Sequence, residues 1–411
     1  MHIRLPQWYT GNMPWLFATR AVRSFSQALL VIVVPLYVAA AGYSTIQVGY
    51  LLSIALAGST GLTILVGFFS DRYGRKLLLI VITGLAGIGS MFYAFTTQFW
   101  VLCLMAALAS IRGGSAGSGG GFGPFYPAEQ ALIAGSVKDK ERNAVFSSLS
   151  LVGVVAGAVG SAVAVLPGVL QQHFKASVLD SYRPIFWIAA IAALAIIILV
   201  LPIREERNQP ARTKPDAVPA RLTVQNLIGR LWVTNGINGF VMGVVGPFLT
   251  YWLALRYGVT SMEIATLYTV ANLLTAASYL TAPLIAYRIG AVRAIVFSRL
   301  GSVVFMAGLA LAPTFFLASL AYTLRVMVNS IGRPIRQSFV MGVAEEQNRS
   351  KVAAFGSLPS QATGMIAPTV ASHILESVSE AAPIWLATAA LAINAGLFEL
   401  FFKNVRPPEE E

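Results

Sequence analysis

Four charges fall in the six positions from Asp71 to Lys76, between an apolar run at about 45–69 and another at about 77–96. The stretch from Gly67 to Leu77 reads G-F-F-S-D-R-Y-G-R-K-L. A connector this short makes the two runs adjacent antiparallel helices. It also places Asp71, Arg72, Arg75 and Lys76 on one side of whatever buries those helices.

The burying medium follows from what covers the rest of the chain. Of 411 residues, 56% are hydrophobic and 11% charged, against about 25% charged in a soluble domain. Mean hydropathy is +0.70. A helix crosses the hydrocarbon in about 20 residues, and twelve apolar segments are long enough. They lie at roughly 16–41, 45–69, 77–96, 99–134, 144–170, 183–202, 224–254, 261–287, 293–312, 314–343, 352–375 and 382–402. The expectation is an all-α membrane protein with twelve transmembrane helices. The fourth, seventh and tenth segments exceed the bilayer and must tilt, bend or extend beyond it. The N-terminus shows no short apolar region followed by a small-residue cleavage site, so the first segment is expected to be retained.

Connector charge supplies the orientation. With the termini on one side, that side carries 18 Lys and Arg in its connectors and tails, the other side 3, and the remaining 8 of 29 lie within segments. An excess of this kind marks the cytoplasmic side, so both termini are expected there, in a cell (inner or plasma) membrane. The net charge of +12 is then orientation charge, and no nucleic-acid partner is expected. Trp100, Trp187, Trp252 and Trp385 fall near outer helix ends, where an aromatic belt sits.

The chain also repeats itself. Pro127, Gln130, Gly135 and Arg142 match Pro334, Gln337, Gly342 and Arg349 at a constant offset of 207, closing segments four and ten. Arg72 and Gly74 recur as Arg288 and Gly290 at an offset of 216, with Tyr287 in place of Asp71. Two pseudo-symmetric six-helix bundles, 1–203 and 222–411, joined by the charged, proline-containing linker 204–221, account for both matches. Such halves are a transporter arrangement.

Gly67, Asp71, Arg72, Gly74, Arg75 and Lys76 resemble the signature between helices two and three of the major facilitator superfamily. Arg112, followed by small residues, resembles that superfamily's second motif, and the six-plus-six layout covers the chain. The helix-five glycine–proline pattern of drug antiporters is poorly met: Gly153, Gly157 and Gly160 are present, but Pro167 comes late. The resemblance implies a secondary transporter with alternating access, in which Gly67–Lys76 is a conformational latch. Read from the residues alone, those charges also serve simply to mark the cytoplasmic side.

An arginine at the midplane needs a cavity or a partner. Arg112, about 13 residues into segment four, is read either as cavity-lining or as bonded to backbone carbonyls. Arg325, Asn329, Arg333 and Arg336 share one helical face by spacing. Arg325 and Asn329 are candidates for substrate contact, with Gln27, Asn235 and Asn238 as further cavity candidates. Asn272 is weaker. Arg333 and Arg336 also have a snorkelling reading, and Arg20 and Arg23 are either gateposts or interfacial anchors. Glu129 is the candidate for proton coupling, against a salt bridge to Arg142 or another arginine. Glu263 and Glu399 lie near segment ends. His2, His173 and His373 are scattered, and no metal or cofactor is expected. Cys103 reads as a small buried hydrophobe. No G-x-x-x-x-G-K-[ST] and no G-x-S-x-G occurs, so no enzyme is expected.

A positive interior favours anionic groups. The expected function is secondary transport of a small organic solute with an anionic group, by a monomer in a lipid bilayer, with protons as a candidate coupling ion. The alternatives are multidrug/proton antiport by the same fold, and a non-transporting membrane sensor or assembly factor.

Overall fold

The computed structural model describes residues 11–108, 125, 129, 139–204, 224–343, 349–403 and 405. Among them every regular element is a helix. The linker 204–221 lies outside these residues except for Arg204, as do Arg112 and the glycine-rich tract after it.

The first half contributes α1 (Met13–Ala40), α2 (Thr45–Tyr73), α3 (Arg75–Phe95), α4 (Phe99–Leu108), α5 (Asp139–Val163), α6 (Leu166–Phe174) and α7 (Val178–Val200). The second contributes α8 (Val224–Gly243), α9 (Leu249–Tyr257), α10 (Ser261–Ile289), α11 (Ala291–Leu311), α12 (Phe315–Val343), α13 (Arg349–Ser377) and α14 (Ala382–Phe402). Each expected segment contains helix. Eight helices among the described residues are long and apolar enough to cross a membrane, nine if the bent α8–α9 pair is one span.

The long seventh segment resolves its excess length by bending. A π turn, Val244–Phe248, joins α8 to α9 across a 45° bend. Pro247 falls within it, and a residue without a backbone N–H leaves a gap in the helical ladder. The tenth segment is a single helix of 29 residues, about 43 Å at 1.5 Å per residue.

The internal repeat is visible in the helix bounds. Adding 216 to the ends of α2 and α3 reproduces both ends of α10 and α11. The turn between the helices is the same in both copies. Gly74 has φ 93 and ψ 141, and Gly290 has φ 83 and ψ 154. A Cβ makes that conformation costly, so glycine is required at both turns.

Contacts divide the chain into two units. Unit 1 holds the first half together with Thr260–Asn272, and unit 2 holds the second half together with Thr45–Ser53. In unit 1, α1 packs on α5 and α7, and α3 packs on α7. Met13, Leu16, Val66, Leu79, Val145, Leu149, Ile196 and Val200 close the core at the Gly74 end. Asn12 holds that end: its Nδ2 donates to the Arg204 carbonyl at 2.7 Å and its Oδ1 accepts from Arg204 N at 3.0 Å. In unit 2, α8 packs on α13, and α11 on α12 and α14. Leu227, Leu231, Ile295, Phe339, Phe398 and Phe402 form the corresponding core.

Apolar burial gives helices in lipid little reason to associate, so close approach and hydrogen bonds carry the packing. Gly160 of α5 sits against the Phe25 carbonyl of α1, and Gly239 of α8 against the Ser360 carbonyl of α13, with no room for a Cβ at either. The opposite faces are apolar and uncovered, as lipid requires: Ile88, Ile191 and Ile198 in unit 1, Phe297, Val304 and Ile393 in unit 2.

Two expectations change. Trp100, Trp187 and Trp385 are exposed, but Trp252 is fully buried. Its Nε1 donates to the Glu380 carbonyl at 2.5 Å, and Arg256 stacks 5.4 Å from its ring, so this tryptophan caps a core instead of meeting lipid. The sixth span starts at Val178, five residues before the apolar run, because Ser177 caps it by accepting from Asp180 N at 3.1 Å.

Candidate functional site

Among the described residues four arginines and one carboxylate have buried side chains: Arg20, Arg23, Arg299 and Arg325 against Glu129. Their distribution between the units is uneven.

In unit 1 the charges are paired. Arg20 and Arg23, one turn apart on α1, converge on Glu129: Arg23 Nη2 lies 2.9 Å from its Oε2 and Arg20 Nη1 3.3 Å away. Arg23 also stacks 4.3 Å from the Phe125 ring. Glu129 is wholly buried. Its neighbourhood is that of a counter-ion shared by two arginines of the first span; the Arg142 side chain lies outside the described set. Gln27, one turn beyond Arg23, is partly buried.

Among the described residues of unit 2 there are two buried arginines, Arg299 and Arg325, and no buried carboxylate. Arg325, ten residues into α12, is 1% exposed and among the largest fully buried side chains. Asn329, Arg333 and Arg336 follow on α12 and are partly buried, as one shared face requires. Arg333 Nη2 lies 3.9 Å from the Met242 sulfur. Arg336 donates to Asn235 Oδ1, while Asn235 Nδ2 donates to the Gly356 carbonyl at 2.6 Å. The Asn235 amide therefore joins α8, α12 and α13. Asn238, one turn along α8, is partly buried.

Arg299 of α11 was not among the sequence candidates. It is 5% exposed, stacks 4.4 Å from the Phe398 ring and donates to the Asn394 carbonyl at 3.4 Å. The available signal was an arginine six residues into the apolar run at 293–312.

The Gly67–Lys76 stretch closes α2 and opens α3 through Gly74. Lys76 donates to the Leu201 carbonyl at the end of α7, within the same unit. The side chains of Asp71 and Arg72 lie outside the described set.

At the other ends of the helices, hydroxyls mediate contact. Thr45 and Tyr251 meet at 2.7 Å, and Thr369 Oγ1 donates to Ser53 Oγ at 2.7 Å. Thr269, 216 positions after Ser53, donates to the Ala158 carbonyl at 3.5 Å, and Asn272 Nδ2 to Ser161 Oγ at 3.3 Å. Glu263 is a capping residue, accepting from Thr260 N at 2.8 Å and Thr260 Oγ1 at 3.0 Å. His373 is exposed and its Nδ1 lies 2.9 Å from the Thr369 carbonyl. Among the described residues no group of His, Cys, Asp and Glu could hold a metal ion.

The family model described as Major Facilitator Superfamily matches residues 16–232 and 231–411. "Multidrug resistance protein MdtG" of Citrobacter koseri is 27% identical over 261 residues, 61% of this chain and 59% of that protein. The chain thus spans about three-fifths of the length of that curated relative. Among solved structures, an auto-inhibited POT family peptide transporter superposes with a TM-score of 0.71 at 13% identity, over 96% of this chain and 97% of that one. The nucleoside transporter NupG superposes with a TM-score of 0.68 at 13% identity, over 94% and 100%. At these identities the superpositions speak to the fold alone.

Proposed function

The chain belongs to the major facilitator superfamily, and we propose on that premise that it is a secondary transporter moving a small organic solute that carries an anionic group. The observation that carries the reading is Arg325, buried at 1% exposure ten residues inside α12. A buried arginine in a membrane costs a few kcal/mol. The described interior holds four buried arginines and one buried carboxylate, Glu129, so its buried charge is net positive. The resulting positive field favours anions and opposes organic cations.

In this proposal the halves 1–203 and 222–411 alternate in access, both termini face the cytoplasm, and the inner or plasma membrane is the site of action. Arg325 and Asn329 contact the solute, with Arg112, Gln27 and Asn238 as further contacts. Asn235 serves mainly to position Arg336. The Gly67–Lys76 connector stabilises one conformation through Lys76.

The test is flux into proteoliposomes of organic anions against organic cations, with and without a pH gradient, for the wild type and Arg325→Gln. Anion flux that falls at least tenfold in Arg325→Gln supports the reading. Preferential cation flux unaffected by the substitution overturns it. A second reading, multidrug efflux, is favoured by the similarity to MdtG; proton-driven export of cationic compounds in the same assay would establish it.

A further inference from the structure

The seventh span holds one residue more than the first, and the repeat shows where. Before the bend the two spans run in step at an offset of 215. Thr19 and Thr234 are both fully buried, and each hydroxyl donates to the carbonyl three residues back, Leu16 at 2.9 Å and Leu231 at 3.4 Å. Next to them, Arg20 reaches Glu129 and Asn235 reaches Arg336, positions 207 apart in the register of Pro127 and Pro334. Phe25 and Phe240 follow. Beyond the bend the offset is 216. Val33, Val34, Leu36 and Tyr37 are buried, and so are Leu249, Thr250, Trp252 and Leu253. Gly42 (φ 88) and Gly258 (φ 63) both turn left-handed ahead of Thr45 and Ser261, which open α2 and α10. Leu16 to Gly42 is thus 26 steps, and Leu231 to Gly258 is 27.

An extra residue inside an α-helix puts everything beyond it on another face, yet here the buried faces agree on both sides. The residue is therefore absorbed between Phe240 and Leu249, where the π turn Val244–Phe248 lies. An i→i+5 turn takes up one residue more than an i→i+4 turn, so it holds an insertion without rotating its flanks. Proline alone does not produce such a turn. α1 contains Pro35, α7 Pro184, and α13 Pro359 and Pro368, and each remains one α-helix.

We infer that the π turn is a single-residue insertion into the seventh span, and that it serves as a bend that seats α9 against α2. The 45° bend swings the nine residues of α9 sideways, by about 9 Å at the far end for a rise of about 1.5 Å per residue. Tyr251 is carried with it, and its hydroxyl meets Thr45 Oγ1 at 2.7 Å. The first span has Pro35 at the position equivalent to Tyr251, a residue with no hydroxyl to offer. The inference goes beyond the transport reading: it concerns the shape of one span and needs no solute.

The experiment excises Gly246 from the full chain in detergent. Elution as for the wild type is expected, with a cooperative melt within ~5 °C of it, because excision restores an α-helix with both faces kept. Excision of Gly84 from the middle of α3, which has no π turn to absorb the change, is expected to abolish monodisperse elution. The bend is read by cross-linking Thr45→Cys to Tyr251→Cys with a short bis-maleimide, in a Cys103→Ser background. The yield should fall at least fivefold when Gly246 is excised. Loss of the fold on excising Gly246 overturns the inference. Equal tolerance of both excisions does so as well, and so does a cross-link yield that excision of Gly246 leaves unchanged.

Discussion

Glu129 and Arg336 occupy equivalent positions in the two halves, and each reaches back to the opening helix of its own half, Glu129 to Arg20 and Arg23, Arg336 to Asn235. The clasp is retained while its polarity is inverted. The two halves therefore answer differently to the loss of the same position.

Removing Glu129 takes a shared carboxylate from two buried arginines. Breaking a buried pair by deleting one partner costs about 3–5 kcal/mol. Glu129→Gln is expected to lower the unfolding midpoint markedly, and adding Arg23→Gln should recover part of the loss. A double variant as unstable as the sum of its singles would show that the two residues do not interact. Under the transport reading, whatever response flux has to a pH gradient should survive in any Glu129→Gln protein that folds, because Glu129 is held as a counter-ion by Arg20 and Arg23; selective loss of that response would restore it as the coupling group.

The two turn glycines are expected to behave as a matched pair. Gly74→Ala and Gly290→Ala each force a Cβ into a conformation costing about 1–3 kcal/mol. Thermal melts should show similar losses for the two, additive in the double variant as for independent sites. A neutral substitution at either would mean that the turn relaxes readily.

Helix apposition should be intolerant of bulk at Gly160 and Gly239. A methyl group at either meets a backbone carbonyl of the facing helix, Phe25 or Ser360, and a carbonyl cannot rotate away as a side chain does. Gly160→Val and Gly239→Val should abolish monodisperse elution from size exclusion, whereas Gly84→Ala, in open space, should elute as the wild type does.

The Ser53–Thr369 contact, 2.7 Å between hydroxyls, offers a cross-link. Under the transport reading this helix pair separates during the cycle. Ser53→Cys with Thr369→Cys is then expected to lose most flux on mild oxidation and regain it on reduction. Full activity with the disulfide verified by mass analysis would show that the pair never parts.

The fold was legible because a membrane imposes coarse rules on composition. Long apolar runs have to be helices, and short charged connectors make neighbours antiparallel, so the α2–α3 pair could be read from one eleven-residue stretch. The repeat was legible for a related reason: Gly74 and Gly290 are required by backbone geometry, and such positions keep their identity when neighbours drift. Side-chain partners were not legible. Glu129 had several arginines within reach by topology, and only packing selects Arg20 and Arg23. Trp252 sits at a helix end, as a belt residue does, but end position does not say whether the ring turns to lipid or to Glu380. Arg299 escaped because a single charge in a run has no spacing partner to mark its face.

The identical bounds of α2–α3 and α10–α11 carry a consequence for how this chain tolerates change. One residue inserted into such a helix turns everything beyond it by about 100°, carrying lipid-facing Ile88 or Val304 inward and core positions outward. Over 51 residues, from Thr45 to Phe95 and from Ser261 to Leu311, the two copies differ by no net insertion or deletion. From Phe99 to Pro127 the first copy then takes 28 steps where the second, from Phe315 to Pro334, takes 19. Nine residues of length have thus been gained or lost in the stretch that carries Arg112, directly after a pair of helices that admitted none. Length variation in this molecule is quarantined: the paired helices act as a ruler, and the fourth span is where the two copies were free to become different machines.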